Sequence, residues 1–224
     1  MTRGILIAGN ESALGDAVMA EAAKRVNTVS TAFIQNKFVE TRQNTASLPE
    51  GTSIIPLSWN PGSPISARSL LLAAENHLEH VDDALLICDP PAMRKRPIDF
   101  TPSEIDYLVN NYIKGWFFLI REILLTFRAR GKGNLCLVTP GISSGGKDDI
   151  PDLAGPSVAA SFKAYAESVL SSAAGEPFRV IGFSSSEPGN ESEFAAFIYK
   201  IIDDEKRNDS GKCYKFGKLS FFGR

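Results

Sequence analysis

The sequence predicts an α/β fold in which a doubly wound parallel sheet of about seven strands forms a single domain, residues 1–224. Short apolar runs alternate along the chain with longer runs that have helical spacing, a pattern typical of parallel sheets with crossover helices. The first apolar run is continuous, as expected for a central strand that helices cover on both faces. A length of 224 residues, of which 43% are hydrophobic and 22% charged, fits one sizeable core.

The opening segment, residues 4–25, predicts a strand, a tight turn and a helix. The strand is an apolar run, and the glycine after it allows a tight turn. The first backbone N–H groups of the helix have no partners within it and lie at the positive end of its dipole, where a pyrophosphate binds favourably. The residues predicted to hold the pyrophosphate are Gly9, Asn10, Ser12, Ala13, Leu14 and Gly15.

The turn has the pattern Gly9-x-x-x-Ala13-x-Gly15. It resembles the Gly-x-x-x-Gly-x-Gly turn of the short-chain dehydrogenase/reductase family, with Ala13 in place of the middle glycine. The extra methyl group narrows the point of closest phosphate approach without closing it. A glycine turn after a strand also occurs where only packing requires it. The resemblance covers nearly the whole chain and implies a Rossmann-like NAD(P)-binding domain with strand order 3-2-1-4-5-6-7.

Composition and charge argue against several other classes of protein. The net charge is −2, and no basic run is interleaved with aromatic residues, so a nucleic-acid partner is not expected. No apolar run approaches the roughly 18 residues that a membrane span needs, and no leader segment precedes the first strand. Cys88, Cys136 and Cys213 lie far apart, as expected of free thiols in a reducing compartment. We therefore expect a cytoplasmic protein without a membrane partner.

The remaining elements alternate along the chain. The pattern predicts strands at residues 28–33, 52–57, 84–88, 134–139, 178–183 and about 213–219. It predicts helices at residues 66–80, 157–174 and 192–203. A capping box from Thr101 to Glu104, with Pro102 at the first helical position, begins one long helix that continues to Phe127.

The long helix also bears on assembly. It is apolar on several faces, which indicates that one side packs on the sheet and another on a partner subunit. In the family that the chain resembles, this helix and the helix after the fifth strand build the dimer interface. The resemblance therefore implies a homodimer or a homotetramer.

Two segments bear on the adenosine end of the cofactor. Dinucleotide-binding proteins usually place an acid at the end of the second strand to hold the ribose. Here the first acid is Glu40, and Lys37 precedes it, which favours NADP(H) over NAD(H), although a solvated loop lysine explains Lys37 equally well. Ser58 and Trp59 replace the aspartate and apolar residue that the family places against the adenine. The indole could stack on the base, or it could cap the sheet edge.

Two more segments are expected around the cofactor because of the resemblance. The family's Asn-Asn-Ala-Gly segment aligns with residues 87–90 and keeps none of its four residues. Asp89 and Pro90 are nevertheless expected beside the nicotinamide ribose, where the prolines make a rigid turn. Pro188 and Gly189 resemble the family's proline-glycine pair after the sixth strand.

The family's catalytic residues are largely replaced. Its members transfer a hydride between a nicotinamide and a carbonyl, with a tyrosine as proton donor, a lysine that raises its acidity, a serine that holds the carbonyl oxygen and an asparagine that completes a proton relay. Thr139 stands one position before the expected serine, and Ser143 or Ser144 could also serve. Lys163 is the candidate lysine, but Ala159 stands four residues before it, where the tyrosine is expected.

Tyr112 stands where the family's asparagine is expected, eleven residues after Thr101. We hypothesise that Tyr112 enters the space of the missing tyrosine and donates the proton, with Lys163 tuning it; an aromatic residue on an apolar helix face is also typical of a core. The pair His77 and His80 has no third ligand nearby, so no metal site is expected.

Three functions remain open at this point. The first is an NADP(H)-dependent oxidoreductase that acts with altered catalytic residues. The second is a catalytically inactive relative that binds a nucleotide, or only a protein partner, through the same fold. The third is a fold that serves only as a dimerisation scaffold.

Overall fold

A computed structural model of the protein describes residues 3–9, 11–34, 49, 51–90, 92–141, 152, 154–186, 188–204 and 209–217. The strands within these ranges are β1 (Ile5–Ala8), β2 (Thr28–Ile34), β3 (Ser53–Trp59), β4 (Asp83–Ile87), β5 (Asn134–Thr139), β6 (Arg179–Ser185) and β7 (Lys212–Phe216).

The strands form one sheet in the order β3-β2-β1-β4-β5-β6-β7, and every neighbouring pair is parallel. This confirms the predicted α/β class and the predicted strand order. β1 pairs with β2 on one side and β4 on the other, so that Ile7 lies opposite both Thr31 and Leu85. β2 and β3 therefore lie on one side of β1, and β4 to β7 lie on the other. This reversal of strand order creates a crevice beyond the carboxyl ends of β1 and β4.

The helices in the described ranges are α1 (Ala13–Ala23), α2 (Pro64–Leu78), α3 (Pro102–Val109), α4 (Gly115–Arg130), α5 (Ala154–Ser172) and α6 (Glu191–Ile202). Their buried residues form two hydrophobic clusters, one on each face of the sheet. Residues of α2, α4 and α5 belong to one cluster, and residues of α1 and α6 belong to the other. Among these helices, none combines the length and apolar character that crossing a membrane requires.

The predicted helix start at Thr101 is confirmed in detail. The Thr101 side chain accepts a hydrogen bond from the Glu104 N–H at 3.3 Å, and the Glu104 carboxylate accepts one from the Thr101 N–H at 3.0 Å. Pro102 occupies the first turn, where it lacks only a donor that a helix start leaves unpaired.

The predicted long helix is confirmed as a continuous helical run over residues 102–130, but its winding changes partway along. α3 and α4 are separated by a π-helical turn, Asn110–Lys114, which carries Tyr112. Gly115 follows this turn, and a Cβ there would lie 3.2 Å from the Pro61 Cα. The close approach of the loop before α2 accompanies the change in helical winding, and hydrophobic periodicity does not reveal such a contact.

The predicted end of the third strand also needs correction. β3 continues through Trp59 instead of ending at residue 57, and Ser58 and Trp59 pair with Phe33 and Ile34 of β2. Ser58 is exposed and Trp59 is buried, as the alternation of a strand requires.

Candidate functional site

The turn after β1 brings the chain into contact with the end of β4. Gly9 has a φ of +81°, a backbone conformation that favours glycine. A Cβ at this position would collide with the backbone carbonyl oxygen of Ile87 and would lie 3.3 Å from Cη2 of Trp116. Only glycine therefore fits this turn, which lies at the crevice where open parallel sheets bind their ligands.

The start of α1 opens onto the same crevice. Ser12 is its N-cap, and the Ser12 hydroxyl oxygen accepts a hydrogen bond from the Gly15 N–H at 3.2 Å. Ala13 is exposed, whereas Leu14 and Gly15 are buried. The first turn of α1 thus offers backbone N–H groups and a positive dipole end to an anion. Asn10, which was predicted to join this site, lies outside the described residues.

Glu11 adds a carboxylate that the sequence pattern did not assign. Its Oε1 atom accepts a hydrogen bond from the Ile34 N–H at 3.3 Å, which places the carboxylate at the carboxyl end of β2. This is the end of the strand at which dinucleotide-binding proteins usually hold the adenosine ribose. Lys37, the residue behind the predicted NADP preference, lies outside the described residues.

Trp59 lies in the interior of the protein. Its side chain is 4% exposed and belongs to the same hydrophobic cluster as residues of α2 and α4. This placement matches the alternative in which the indole caps the sheet. A base could stack on Trp59 only if the ring left the core. Ser58 is exposed beside it.

Asp89 and Pro90 follow β4 at the crevice. The Asp89 carboxylate faces the Ser12 hydroxyl and lies near the Glu191 carboxylate. Partial desolvation and the negative charge of Glu191 raise the pKa of Asp89, and the hydrogen-bonding interaction with Ser12 opposes the rise. Pro90 is partly buried beside it. Local spacing could not reveal the approach of Asp89 to Glu191, because Asp89 follows β4 and Glu191 begins α6.

Pro188 and Gly189 follow β6, at the position in the chain that the sequence predicts. The Gly189 N–H donates a hydrogen bond to the Glu191 Oε1 at 3.0 Å. Gly189 has a φ of +89°, and a Cβ there would meet no other atom within 4 Å. The conformation of the turn, rather than crowding, therefore favours glycine here.

Cys88 lies beneath the crevice and is chemically quiet. It is fully buried at the end of β4, and burial raises the pKa of its thiol to about 12, against the opposing effect of the Trp116 indole N–H. The thiol therefore stays protonated, and a buried protonated thiol is a poor nucleophile.

Tyr112 is almost completely buried. Its side chain is 5% exposed, its hydroxyl lies 3.5 Å from that of Tyr107, and the two rings meet edge to face with centroids 5.9 Å apart. Burial first, and Tyr107 next, raise the pKa of Tyr112. The phenol is therefore fully protonated at neutral pH but is a weaker acid than an ordinary tyrosine.

The other two predicted catalytic residues lie on separate elements. Thr139 is partly buried at the end of β5, and Ser184 of β6 lies opposite it in the sheet. Lys163 is exposed on α5, one turn after Ala159, which is buried. Ser143 and Ser144 lie outside the described residues.

The described residues do not bring together three histidine, cysteine, aspartate or glutamate side chains in a group that could hold a metal ion. The His80 side chain instead lies 3.1 Å from the Asp82 carboxylate, at the amino end of β4 and away from the crevice. His77 is exposed.

Comparison with solved structures identifies the fold. The chain is similar to a short-chain dehydrogenase from Mycobacterium smegmatis, with a TM-score of 0.74, 16% identity, and coverage of 97% of this chain and 93% of that one. It is similar to acetoin dehydrogenase from Salmonella typhimurium, with a TM-score of 0.74, 11% identity, and coverage of 96% and 95%. A short-chain dehydrogenase from Bacillus anthracis gives a TM-score of 0.74, 15% identity, and coverage of 95% and 94%.

No protein-family model matches the chain, and no curated protein matches it in sequence. The structural likeness therefore shows the fold alone: the protein has a short-chain dehydrogenase/reductase-like fold over nearly its whole length.

Proposed function

We propose that this short-chain dehydrogenase-like fold belongs to an NAD(P)(H)-dependent oxidoreductase that works with altered catalytic residues. One observation carries the proposal. Gly9 packs without room for a Cβ against the end of β4, and α1 begins beside it with exposed Ala13 at its first turn. A dinucleotide pyrophosphate fits a glycine turn and helix start at the point where the sheet order reverses.

The residues present fit the phosphates of such a cofactor, which would supply or accept the hydride. The Ser12 hydroxyl and the first N–H groups of α1 would hold the pyrophosphate, and Gly189 would bound the crevice on its far side. Asp89 and Pro90 would lie beside the nicotinamide end, as the family resemblance implies.

In this proposal, Tyr112 donates the proton in a carbonyl reduction. Tyr112 holds its proton firmly, and its hydroxyl lies 3.5 Å from the Tyr107 hydroxyl. After donation, Tyr107 would pass its proton to Tyr112 and take one from solvent in return. Thr139 would orient the carbonyl oxygen, and Lys163 would bind the ribose hydroxyls. A tyrosine with a raised pKa makes the reduction slow, because proton donation is less favourable.

The choice between NADP(H) and NAD(H) depends on two side chains with opposite effects. Lys37 would attract the 2′-phosphate of NADP, which is the preference that the sequence indicates. The Glu11 carboxylate at the end of β2 would instead favour the ribose hydroxyls of NAD. We propose NADP(H) as the preferred cofactor. Selective weakening of NADPH binding in Lys37→Ala, with stronger NADPH binding in Glu11→Gln, would support this preference.

Assembly as a homodimer or homotetramer is also proposed. Phe117 and Leu125 on α4 are 43% and 45% exposed, and Phe117 stacks on Tyr165 of α5 with ring centroids 3.8 Å apart. This apolar surface, formed by Phe117, Leu125 and Tyr165, would be covered by the same surface of a second copy.

A catalytically inactive nucleotide-binding protein is the second candidate. It is favoured by the position of Ala159, which is buried where the family's tyrosine is expected, and by the burial of Tyr112. Such a protein would bind the nucleotide without turning it over.

A turnover assay distinguishes these functions. Purified protein is mixed with NADPH or NADH and a series of small ketones that begins with acetoin, and loss of the reduced nicotinamide is followed. An oxidoreductase consumes the nucleotide only when both protein and ketone are present. Ala13→Glu is the control, because a carboxylate at this exposed first-turn position favours the helix but repels a phosphate. Binding of the nucleotide without consumption would establish the inactive alternative.

A further inference from the structure

Two carboxylates, Asp89 and Glu191, lie at the crevice beyond the carboxyl ends of β1 and β4. The Glu191 Oε1 accepts from the Gly189 N–H at 3.0 Å. The Asp89 carboxylate faces the Ser12 hydroxyl, which also caps α1. One internal carboxylate is therefore hydrogen-bonded to the turn after β6, and another lies beside the start of α1, where the proposed function places a phosphate.

The Glu191 carboxylate also lies close enough to disfavour the ionised form of Asp89. The negative charge of Glu191 contributes to the raised pKa of Asp89. A pyrophosphate placed at the start of α1 would add further negative charge beside both side chains. Its attraction to the helix dipole would then be offset by repulsion from Asp89 and Glu191.

We infer that Asp89 and Glu191 are affinity-determining residues that compete with the phosphates of the nucleotide for the donors of the crevice. This inference rests on the proposed function, because it concerns the same nucleotide site. It predicts that the natural protein binds pyrophosphate-containing ligands weakly and that neutralising either carboxylate strengthens the binding.

Amide substitutions remove the negative charge of each carboxylate and keep an oxygen that accepts a hydrogen bond. Asp89→Asn keeps a side-chain oxygen that can accept from Ser12, and Glu191→Gln keeps one that can accept from the Gly189 N–H. Glu193→Gln is the matched control. Glu193 lies in the same first turn of α6 as Glu191 and is exposed, so this variant makes the same change in net charge and in helix-dipole interaction away from Gly189.

The experiment is a calorimetric titration of each variant with ADP-ribose, which carries the pyrophosphate, and with adenosine, which carries no phosphate. We expect Asp89→Asn and Glu191→Gln each to bind ADP-ribose about tenfold more tightly than the natural protein. Adenosine affinity should change by less than about twofold in each, and Glu193→Gln should change ADP-ribose affinity by less than about threefold. Melting temperatures of all variants confirm that they are folded.

The outcomes separate this inference from the proposed function. If the natural protein binds ADP-ribose and NADPH but Asp89→Asn and Glu191→Gln bind no more tightly, only the inference falls. If Glu193→Gln strengthens ADP-ribose binding as much as Asp89→Asn and Glu191→Gln do, the change in net charge alone explains the effect. The inference then also falls. If no variant binds ADP-ribose or NADPH at millimolar concentration, the inference and the proposed function both fall.

Discussion

The backbone carbonyl oxygen of Ile87 occupies the space that a side chain on Gly9 would enter. This contact joins the turn after β1 to the end of β4, at the crevice beyond the carboxyl ends of these two strands. It also explains why the turn needs glycine in the absence of any ligand, since φ at Gly9 is +81° and no Cβ can be accommodated.

Replacing Gly9 tests this contact. We expect Gly9→Ala to lower the free energy of unfolding by more than about 3 kcal/mol, because strain in the backbone adds to a collision with backbone atoms. Gly51→Ala is the control, since Gly51 has a φ of +85° but open space around it. Gly51→Ala should lower the free energy of unfolding by only about 1–2 kcal/mol. Denaturant unfolding measures both, and equal losses would show that Gly9 is not crowded.

The fold was predictable because continuous apolar runs and helical spacing are local properties. β1, the capping box at Thr101 and the order of the seven strands all follow from such patterns and the family resemblance. The π-helical turn that carries Tyr112 was not predictable, because it depends on a contact between Gly115 and a distant loop.

The site was predictable only in part. The positions of Gly9 and Ser12 follow from the first turn. The approach of Asp89 to Glu191, and the reach of Glu11 to the end of β2, join residues of different elements and leave no periodic signal. The sequence pattern therefore located the crevice but not its negative charge.

The assignment of Tyr112 as proton donor predicts a loss of reduction in Tyr112→Phe. Because burial raises its pKa, Tyr112 stays protonated up to at least its ordinary pKa of about 10, so kcat for reduction should be flat between about pH 6 and 9. Tyr107→Phe should slow the reaction less, since it removes only a neighbour of the donor. Unchanged activity in Tyr112→Phe would exclude the assignment.

A partly buried ion pair lies at the amino ends of β1 and β4, away from the crevice. The Asp83 carboxylate is completely buried, pairs with Arg3 and accepts a hydrogen bond from Asn134 at 2.6 Å. We expect Asp83→Ala to lower the free energy of unfolding by about 1–3 kcal/mol, because it leaves the Asn134 amide without its buried acceptor and removes one of the two partners of Arg3. Asp99→Ala is the control: Asp99 pairs with Arg96 at the surface, and its loss should cost less than about 1 kcal/mol. Similar losses in chemical denaturation would contradict the account.

The lowered pKa of Glu104 predicts that the stability of the protein depends on pH. Lys95 and then the Thr101 cap lower the pKa of Glu104 to about 2, below its ordinary value of 4.5. Its ionisation therefore stabilises the folded state above about pH 4.5, and this contribution is lost as the pH falls toward 2. The melting temperature of Glu104→Gln should lie below that of the natural protein at pH 7, and the gap should narrow below pH 4.5. A gap that is constant with pH would show that ionisation of Glu104 is not involved.

The proposed assembly depends on the apolar surface formed by Phe117, Leu125 and Tyr165. We expect the natural protein to sediment as a dimer or tetramer and Leu125→Glu to sediment as a smaller species, because a charge would be buried in the interface. Leu72→Glu on α2 is the control, since Leu72 is 52% exposed but lies outside this surface. A natural protein that sediments as a monomer would refute the proposal.

Binding of a dinucleotide at the start of α1 is the central claim, and a calorimetric titration with NADPH and, separately, NADH tests it most directly. The account predicts saturable binding of at least one of them with one site per chain. It also predicts at least about tenfold weaker binding in Ala13→Glu, whose melting temperature should not fall, because the added carboxylate repels phosphate but suits the helix start. Absence of binding to both nucleotides at millimolar concentration, or equal binding by Ala13→Glu, would contradict it.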